Sequence, residues 1–99
     1  MAHGEHKTPG GKLMRVDLDV RDGSIVDVVV SGDFFLYPEE ALDDLRRSIE
    51  GVSSGTSVEA LALVITDGLR PGAELIGSSP ESLAIAVRRA VAAASDANV

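Results

Sequence analysis

The sequence has 99 residues, 44% of them apolar, which is enough for one small hydrophobic core and too few for two domains. Its 16 acidic residues outnumber its 9 basic residues, and the net charge of -7 disfavours nucleic acid and anionic membranes as partners. The lack of cysteine excludes disulfides, thiol catalysis and cysteine-based metal sites. Without an apolar signal or a membrane-spanning run, a cytoplasmic location is expected.

The N-terminal segment is expected to contribute one short strand. Residues 1–4 are expected to be frayed, and Glu5 to Thr8 are expected to form an edge strand before the Gly-rich loop at residues 9–11. His3 and His6 lie in this mobile segment and are therefore poor candidates for catalysis. We predict a single domain over residues 1–99, ordered from about residue 5 to residue 95.

Two long strands follow as a hairpin. From Lys12 apolar and polar residues alternate, which predicts a strand whose buried face holds Met14, Val16, Leu18 and Val20. The second strand runs from Ile25 to about Ser31. Since the buried faces of both strands must coincide, we predict the pairs Val16–Val30, Leu18–Val28 and Val20–Val26. A two-residue turn at Asp22-Gly23 would break this register, so a longer loop is predicted.

All three aromatic residues, Phe34, Phe35 and Tyr37, lie in one short stretch after Gly32-Asp33. They are the largest apolar side chains of the protein, so the two Phe residues are predicted to fill the core between sheet and helices. Pro38 suits the first position of a helix, and Glu39 and Glu40 suit its first turn.

Three helices are predicted after the aromatic stretch. The first ends near Gly51 and buries Ala41, Leu42, Leu45 and Ile49. The second begins at a capping box, Thr56 to Glu59, and the third begins at Ser79-Pro80-Glu81. The connection at residues 70–77 is predicted to be irregular with Leu75 and Ile76 turned inward, and residues 96–99 are expected to fray. The fold class is therefore α+β: a small antiparallel sheet, with two long strands and a short N-terminal one, followed by three helices on one face.

The sequence offers few residues for catalysis. No glycine cluster has the setting of a phosphate loop, and the adjacent acids of the first helix indicate a solvated face. Asp33 is either a turn residue whose carboxylate accepts backbone N–H groups or a general base without a visible partner. Lys12 is either a surface lysine or a residue aimed at an anion. No catalytic residue and no metal ligand is predicted.

Several segments together resemble the accessory domain of lipoate-protein ligases, over about positions 6 to 94. The most specific is Ser31-Gly32-Asp33-Phe34-Phe35 followed by Pro38-Glu39-Glu40. The others are Gly11-Lys12-Leu13, the hairpin from Asp19 to Ile25, the helix end Leu45 to Gly51, and Gly77 to Ala84. In one-domain form the chain is similar to the small subunit of the bipartite ligase, which corresponds to the C-terminal domain of single-chain ligases.

This resemblance implies a non-catalytic subunit that forms a heterodimer with a catalytic subunit. In that family the large subunit binds lipoate, ATP and Mg and holds the catalytic lysine, and the accessory part is required to form lipoyl-AMP. The resemblance implies no cofactor on this chain alone and only indirect contact with lipoyl-acceptor domains. The residues expected to face the partner or its active site are Lys12, Gly32, Asp33, Phe34, Phe35 and Tyr37.

Two other functions remain open at this stage. One is a stand-alone small-molecule or protein-binding module in which the aromatic stretch lines its own pocket. The other is an enzyme that uses Asp33 as a base, which the lack of a neighbouring partner group disfavours.

Overall fold

The computed structural model describes the backbone of residues 1–97 and the side chains of residues 1–94. The elements follow as β1 (Ala2–Lys7), β2 (Leu13–Arg21), β3 (Ser24–Gly32), β4 (Phe35–Tyr37), α1 (Ala41–Ile49), α2 (Val58–Gly68), β5 (Glu74–Ile76) and α3 (Pro80–Ala97). An antiparallel sheet in the order β1-β2-β3 and a two-stranded sheet β4-β5 accompany the three helices, which confirms the predicted α+β class. No helix in the described range is long and apolar enough to cross a membrane.

The first strand is longer than predicted and is packed directly against α3. It starts at Ala2, so the expectation that residues 1–4 are frayed is wrong, and it ends at Lys7. Gly4 explains the packing, because a Cβ there would lie 2.3 Å from the Ala86 carbonyl oxygen and 2.4 Å from the Ala90 nitrogen. The helix backbone therefore touches the strand backbone, and only glycine fits at the crossing.

The expectation that His3 and His6 lie in a mobile segment is wrong, because both residues belong to this strand. His6 Nδ1 lies 2.7 Å from the hydroxyl oxygen of Ser82 on α3. Ser82 is only 2% exposed, so the pair joins β1 to α3 and leaves no hydroxyl accessible to a substrate.

A β-bulge lets the hairpin of β2 and β3 combine a tight turn with matching buried faces on the two strands. Its turn is the two-residue Asp22-Gly23, with both φ angles positive, and the prediction of a longer loop is wrong. Next to the turn Val20 pairs with Ile25, not with Val26, and farther along Val16 pairs with Val30 as predicted. Between these pairs Asp27 (φ 55°) adds one residue to β3. The bulge restores the inward direction of Val28 and Val30, so Ile25, Val28 and Val30 are all buried.

The residue that follows α1 stabilises this bulge. Glu50, which follows α1, accepts hydrogen bonds from the backbone N–H groups of Asp27 (2.6 Å) and Val28 (3.2 Å). The carboxylate therefore satisfies two N–H groups at the bulge that point away from β2, and it connects the end of α1 to β3.

The helices differ from the prediction mainly at their first residues. The first helix begins at Ala41 and not at Pro38, because residues 38–40 form a turn in which the Ala41 N–H donates to the Pro38 carbonyl oxygen (2.9 Å). The N-cap of α2 is Ser57, one residue after the predicted Thr56. The third helix begins at Pro80 as predicted, and the Ser79 hydroxyl accepts from the Ser82 N–H (3.1 Å). It continues through Ala97, so Asp96 and Ala97 are helical; the rest of the predicted frayed end, Asn98 and Val99, lies outside the described residues.

The connection at residues 70–77 is more regular than predicted. It contains β5, which pairs antiparallel with β4 through Phe35–Ile76, Leu36–Leu75 and Tyr37–Glu74. The partner strand is almost 40 residues away in the sequence, so no local pattern in either strand indicates the pairing.

Candidate functional site

The strands β3 and β4 form one bent strand, defined here as residues 24–37, with partners along one side. The Asp33 N–H donates to the Leu13 carbonyl oxygen (3.0 Å), which extends the pairing of β3 with β2 to the bend. Just before β2, the Lys12 N–H donates to the carbonyl oxygen of Gly77, which follows β5 (2.7 Å). Because β2 and β5 are joined in this way, the two sheets meet along the same side of the bent strand, and its other side faces outward.

Glycines permit the bend and the junction. Gly32 has a φ of 147°, and a Cβ there would lie 2.2 Å from the Leu13 carbonyl oxygen. At the junction, Gly77 has a φ of 88°, and a Cβ there would lie 2.6 Å from Lys12 Cγ. Both positions therefore require glycine, and the Lys12 side-chain stem packs over Gly77.

One face of the β4–β5 pair presents large apolar side chains to solvent. Phe35 and Tyr37 are each 59% exposed, and Ile76, which pairs with Phe35, is 45% exposed. The prediction that both Phe residues fill the core is therefore wrong for Phe35, and the prediction that Ile76 turns inward is wrong as well. The alternation of a strand explains the outcome, since Leu36 and Leu75 take the inward positions. We call Phe35, Tyr37 and Ile76 the aromatic face.

An open groove runs beside the aromatic face, along the outer side of the bent strand. It has a volume of about 440 Å³ and is lined by residues 30–32 and 34–37 together with Glu39 and Leu42. Leu42 was predicted to be buried, but it is 41% exposed and lines the groove, because the buried side of α1 holds Ala41, Leu45 and Ile49 and Leu42 lies next to that side. Phe34 is half-buried and packs against the core.

The structure brings four of the six predicted site residues together. Gly32, Phe34, Phe35 and Tyr37 line the groove. Lys12 and Asp33 are exposed on the two strands that meet at the bend, outside the groove lining. The Asp33 carboxylate accepts no hydrogen bond from the described residues, so the interpretation of a capping carboxylate is not supported. Glu39, Leu42 and Ile76 are surface groups of this region that the sequence did not indicate.

Acidic side chains surround the groove and the aromatic face. Glu39 lines the groove, Asp33 lies at the bend, and Glu74 pairs with Tyr37. None of the three forms an ion pair with the described part of the chain, whereas most of the arginines are engaged elsewhere. The charged residue that lines the groove is therefore a carboxylate, Glu39, and it would favour a positively charged group on a binding partner.

Arg70 fixes the start of α1 next to this region. Its Nε donates to Asp44 Oδ2 (2.8 Å), and its Nη2 donates to the Glu40 carbonyl oxygen (3.1 Å). The hydrogen bond from Arg70 lowers the pKa of Asp44 below its ordinary value. One guanidinium thus connects the loop before β5 to the first turn of α1.

The groove and the aromatic face have the features of a surface that binds a macromolecule. Among the described residues no group of three or more His, Asp and Glu side chains is placed to hold a metal ion. The groove is open along its length, while sites for small molecules typically enclose most of the ligand surface. A wide apolar face with a polar rim is typical of a protein interface.

Known proteins provide an independent comparison. No family model matches the sequence. The chain is 36% identical over 76 residues to lipoate-protein ligase A subunit 2 of Thermoplasma acidophilum, which covers 77% of each protein. Its fold matches a chain in the structure of a bi-partite lipoate protein ligase and its E2 lipoyl domain from Thermoplasma acidophilum, with a TM-score of 0.70 and 31% identity. That match covers 89% of this chain and 96% of the other.

Proposed function

Since this chain belongs to the family of lipoate-protein ligase A subunit 2, a subunit of a bipartite ligase, we propose that it is a non-catalytic accessory subunit. In this proposal it docks on the catalytic subunit and enables the ATP-dependent activation of lipoate to lipoyl-AMP. ATP, Mg and lipoate bind in the partner, and lipoyl-acceptor domains meet this subunit only indirectly.

The aromatic face is the observation that supports this proposal. Two aromatic side chains and an isoleucine are about half exposed side by side on a small protein that has only three aromatic residues. Exposing them to water is unfavourable by about 25 cal/mol per Å² of apolar surface, so a surface of this kind usually has a partner. Aromatic side chains are also enriched among the residues that dominate binding energies.

The accessory subunit affects the reaction by changing the conformation of the catalytic subunit. By docking beside the adenylate site it orders the loops that close over ATP and lipoate and excludes water from the activated acyl group. The residues proposed to face the partner are those around the bend and the groove, including Lys12 and Asp33 at its edge. None of them is assigned a catalytic role.

Reconstitution tests the proposal. The catalytic subunit, lipoate, ATP and Mg are mixed with increasing amounts of this chain, and lipoyl-AMP is measured. We expect lipoyl-AMP formation to rise with this chain and to saturate at one copy per catalytic subunit. This chain with lipoate and ATP alone should form none. Unchanged activity of the catalytic subunit, or turnover by this chain alone, would contradict the proposal.

Substitutions on the aromatic face test which surface docks. Phe35→Ala and Tyr37→Ala each remove an exposed ring, so stability should change little while the dissociation constant of the complex rises about 30-fold, the effect of losing roughly 2 kcal/mol. Leu63→Ala is the matched control, because Leu63 is 66% exposed on α2 and away from the aromatic face. Equal effects at Leu63 and Phe35 would exclude the aromatic face as the docking surface.

A further inference from the structure

The outer edge of β3 is closed over its first half. The Ile25 N–H donates to the Val52 carbonyl oxygen (2.8 Å), and the Gly51 N–H donates to the Ile25 carbonyl oxygen (2.7 Å). Beyond them the Glu50 carboxylate accepts from Asp27 and Val28, as described above. The segment at residues 50–54 therefore lies along this edge like an additional strand and satisfies its backbone groups.

The second half of the same edge is open. In a strand, the N–H and C=O groups of successive residues point to opposite edges. The Val28 N–H points outward to Glu50 and the Asp33 N–H points to β2, so the backbone groups of Val30 and Gly32 point outward. They face the groove, and no backbone group of the described residues pairs with them there. An open edge beside exposed aromatic side chains is the arrangement used to bind an added strand.

We propose that an extended segment of the catalytic subunit adds to this open edge as a further β-strand. The proposal rests on the accessory function above and specifies how the two subunits meet. The segment pairs with the backbone of Val30 and Gly32, inserts an apolar side chain into the groove against Leu42, and continues past Phe35 and Tyr37. At about 3.3 Å per residue in both strands, about eight residues are needed to run along this edge from Val30 past Tyr37.

The charge of the groove determines the chemistry of the segment. Glu39 and Asp33 flank the open edge and form no ion pair with the described residues, so the segment should have a Lys or Arg beside its apolar side chain. The same charges disfavour a second copy of this chain, because pairing two open edges would bring two acidic rims together in a protein of net charge -7.

Amide hydrogen exchange measured by NMR tests the backbone pairing directly. The Val30 amide should exchange fast in the free chain and at least about tenfold more slowly in the complex with the catalytic subunit, as expected for one added hydrogen bond. Ile25 is the internal control, since its amide lies on the same edge and is already bonded to Val52. It should be protected in both states.

A charge reversal tests the chemistry of the segment. Glu39→Lys should raise the dissociation constant of the complex about tenfold, measured by calorimetry, because it places like charges together. Glu59→Lys is the matched control, since Glu59 is exposed on α2 and the net charge changes equally. It should leave the constant within about twofold. Equal constants for the two variants would overturn the proposal.

Three results separate this inference from the accessory function. A complex that forms lipoyl-AMP while the Val30 amide stays unprotected overturns the strand pairing and leaves the accessory function intact. Failure to form any complex overturns both. Protection of Val30 in the free chain that increases with protein concentration identifies a second copy as the occupant and also overturns the inference.

Discussion

Replacing Gly4 by alanine should destabilise the protein through a single added methyl group. The Cβ would lie 2.3 Å and 2.4 Å from two backbone atoms of α3, where ordinary contacts begin at 3.4 Å. The helix must move by about 1 Å, and it cannot do so alone because its other side fills the core with Leu83, Val87 and Val91. Overpacking of this kind costs about 1–3 kcal/mol, and contact with backbone atoms places Gly4→Ala near the upper limit.

Urea unfolding followed by circular dichroism measures this effect. With a slope of about 1–3 kcal/mol per molar urea, the midpoint should fall by about 1–3 M. The melting temperature should fall by about 10–20 °C, since about 4–8 °C corresponds to 1 kcal/mol in a domain of this size. Gly55→Ala is the control, because its Cβ would be 3.8 Å from the nearest atom, Ser53 Oγ. A Gly4→Ala midpoint within the error of the Gly55→Ala midpoint would refute the direct contact of β1 with α3.

Three further substitutions test individual contacts. Glu50→Ala leaves the two N–H groups of the bulge without their acceptor and should lower the free energy of unfolding by about 1–3 kcal/mol. Glu50→Gln keeps one acceptor and should lower the free energy of unfolding less. Equal stability of Glu50→Ala and the parent in urea would refute this. Asp44→Asn should destabilise the protein at pH 7, because the pKa of Asp44 is lowered in the folded state. That difference should disappear as the pH falls from about 4, the unfolded value, through the lower folded value. Acid unfolding curves that stay equally separated at all pH values would contradict it. Ser82→Ala should lower the free energy of unfolding by about 1 kcal/mol by removing the partner of His6. If the near-ultraviolet ellipticity fell by a larger fraction than the free energy of unfolding, the effect would not be local.

The hairpin shows which part of the fold can be predicted from local sequence patterns. The alternation at Met14, Val16 and Leu18 predicted the buried face of β2 correctly. The register near the turn was wrong because two requirements, a tight Asp22-Gly23 turn and matching buried faces, were treated as exclusive. The bulge at Asp27 satisfies both, and it depends on Glu50, which lies 23 positions away in the sequence. Local patterns contain no information on such a distant acceptor.

The candidate site was predicted in composition but not in arrangement. Gly32, Phe34, Phe35 and Tyr37 were selected from the sequence and do line one groove. Their exposure could not be predicted, because large apolar residues are usually buried and β5 is distant in sequence. Ile76 illustrates a signal that was available: adjacent apolar residues in a strand point to opposite sides, so Leu75 and Ile76 cannot both turn inward.

The first helix is fastened at both ends, by Arg70 at its start and by Glu50 at its finish. These contacts hold α1, and with it Leu42 of the groove, in place beside β3 in the free chain. A binding groove that is already ordered in the free protein loses little conformational entropy on association. Its encounter with a catalytic subunit should then follow simple bimolecular kinetics, with any slow rearrangement taking place in the catalytic subunit rather than in this small protein.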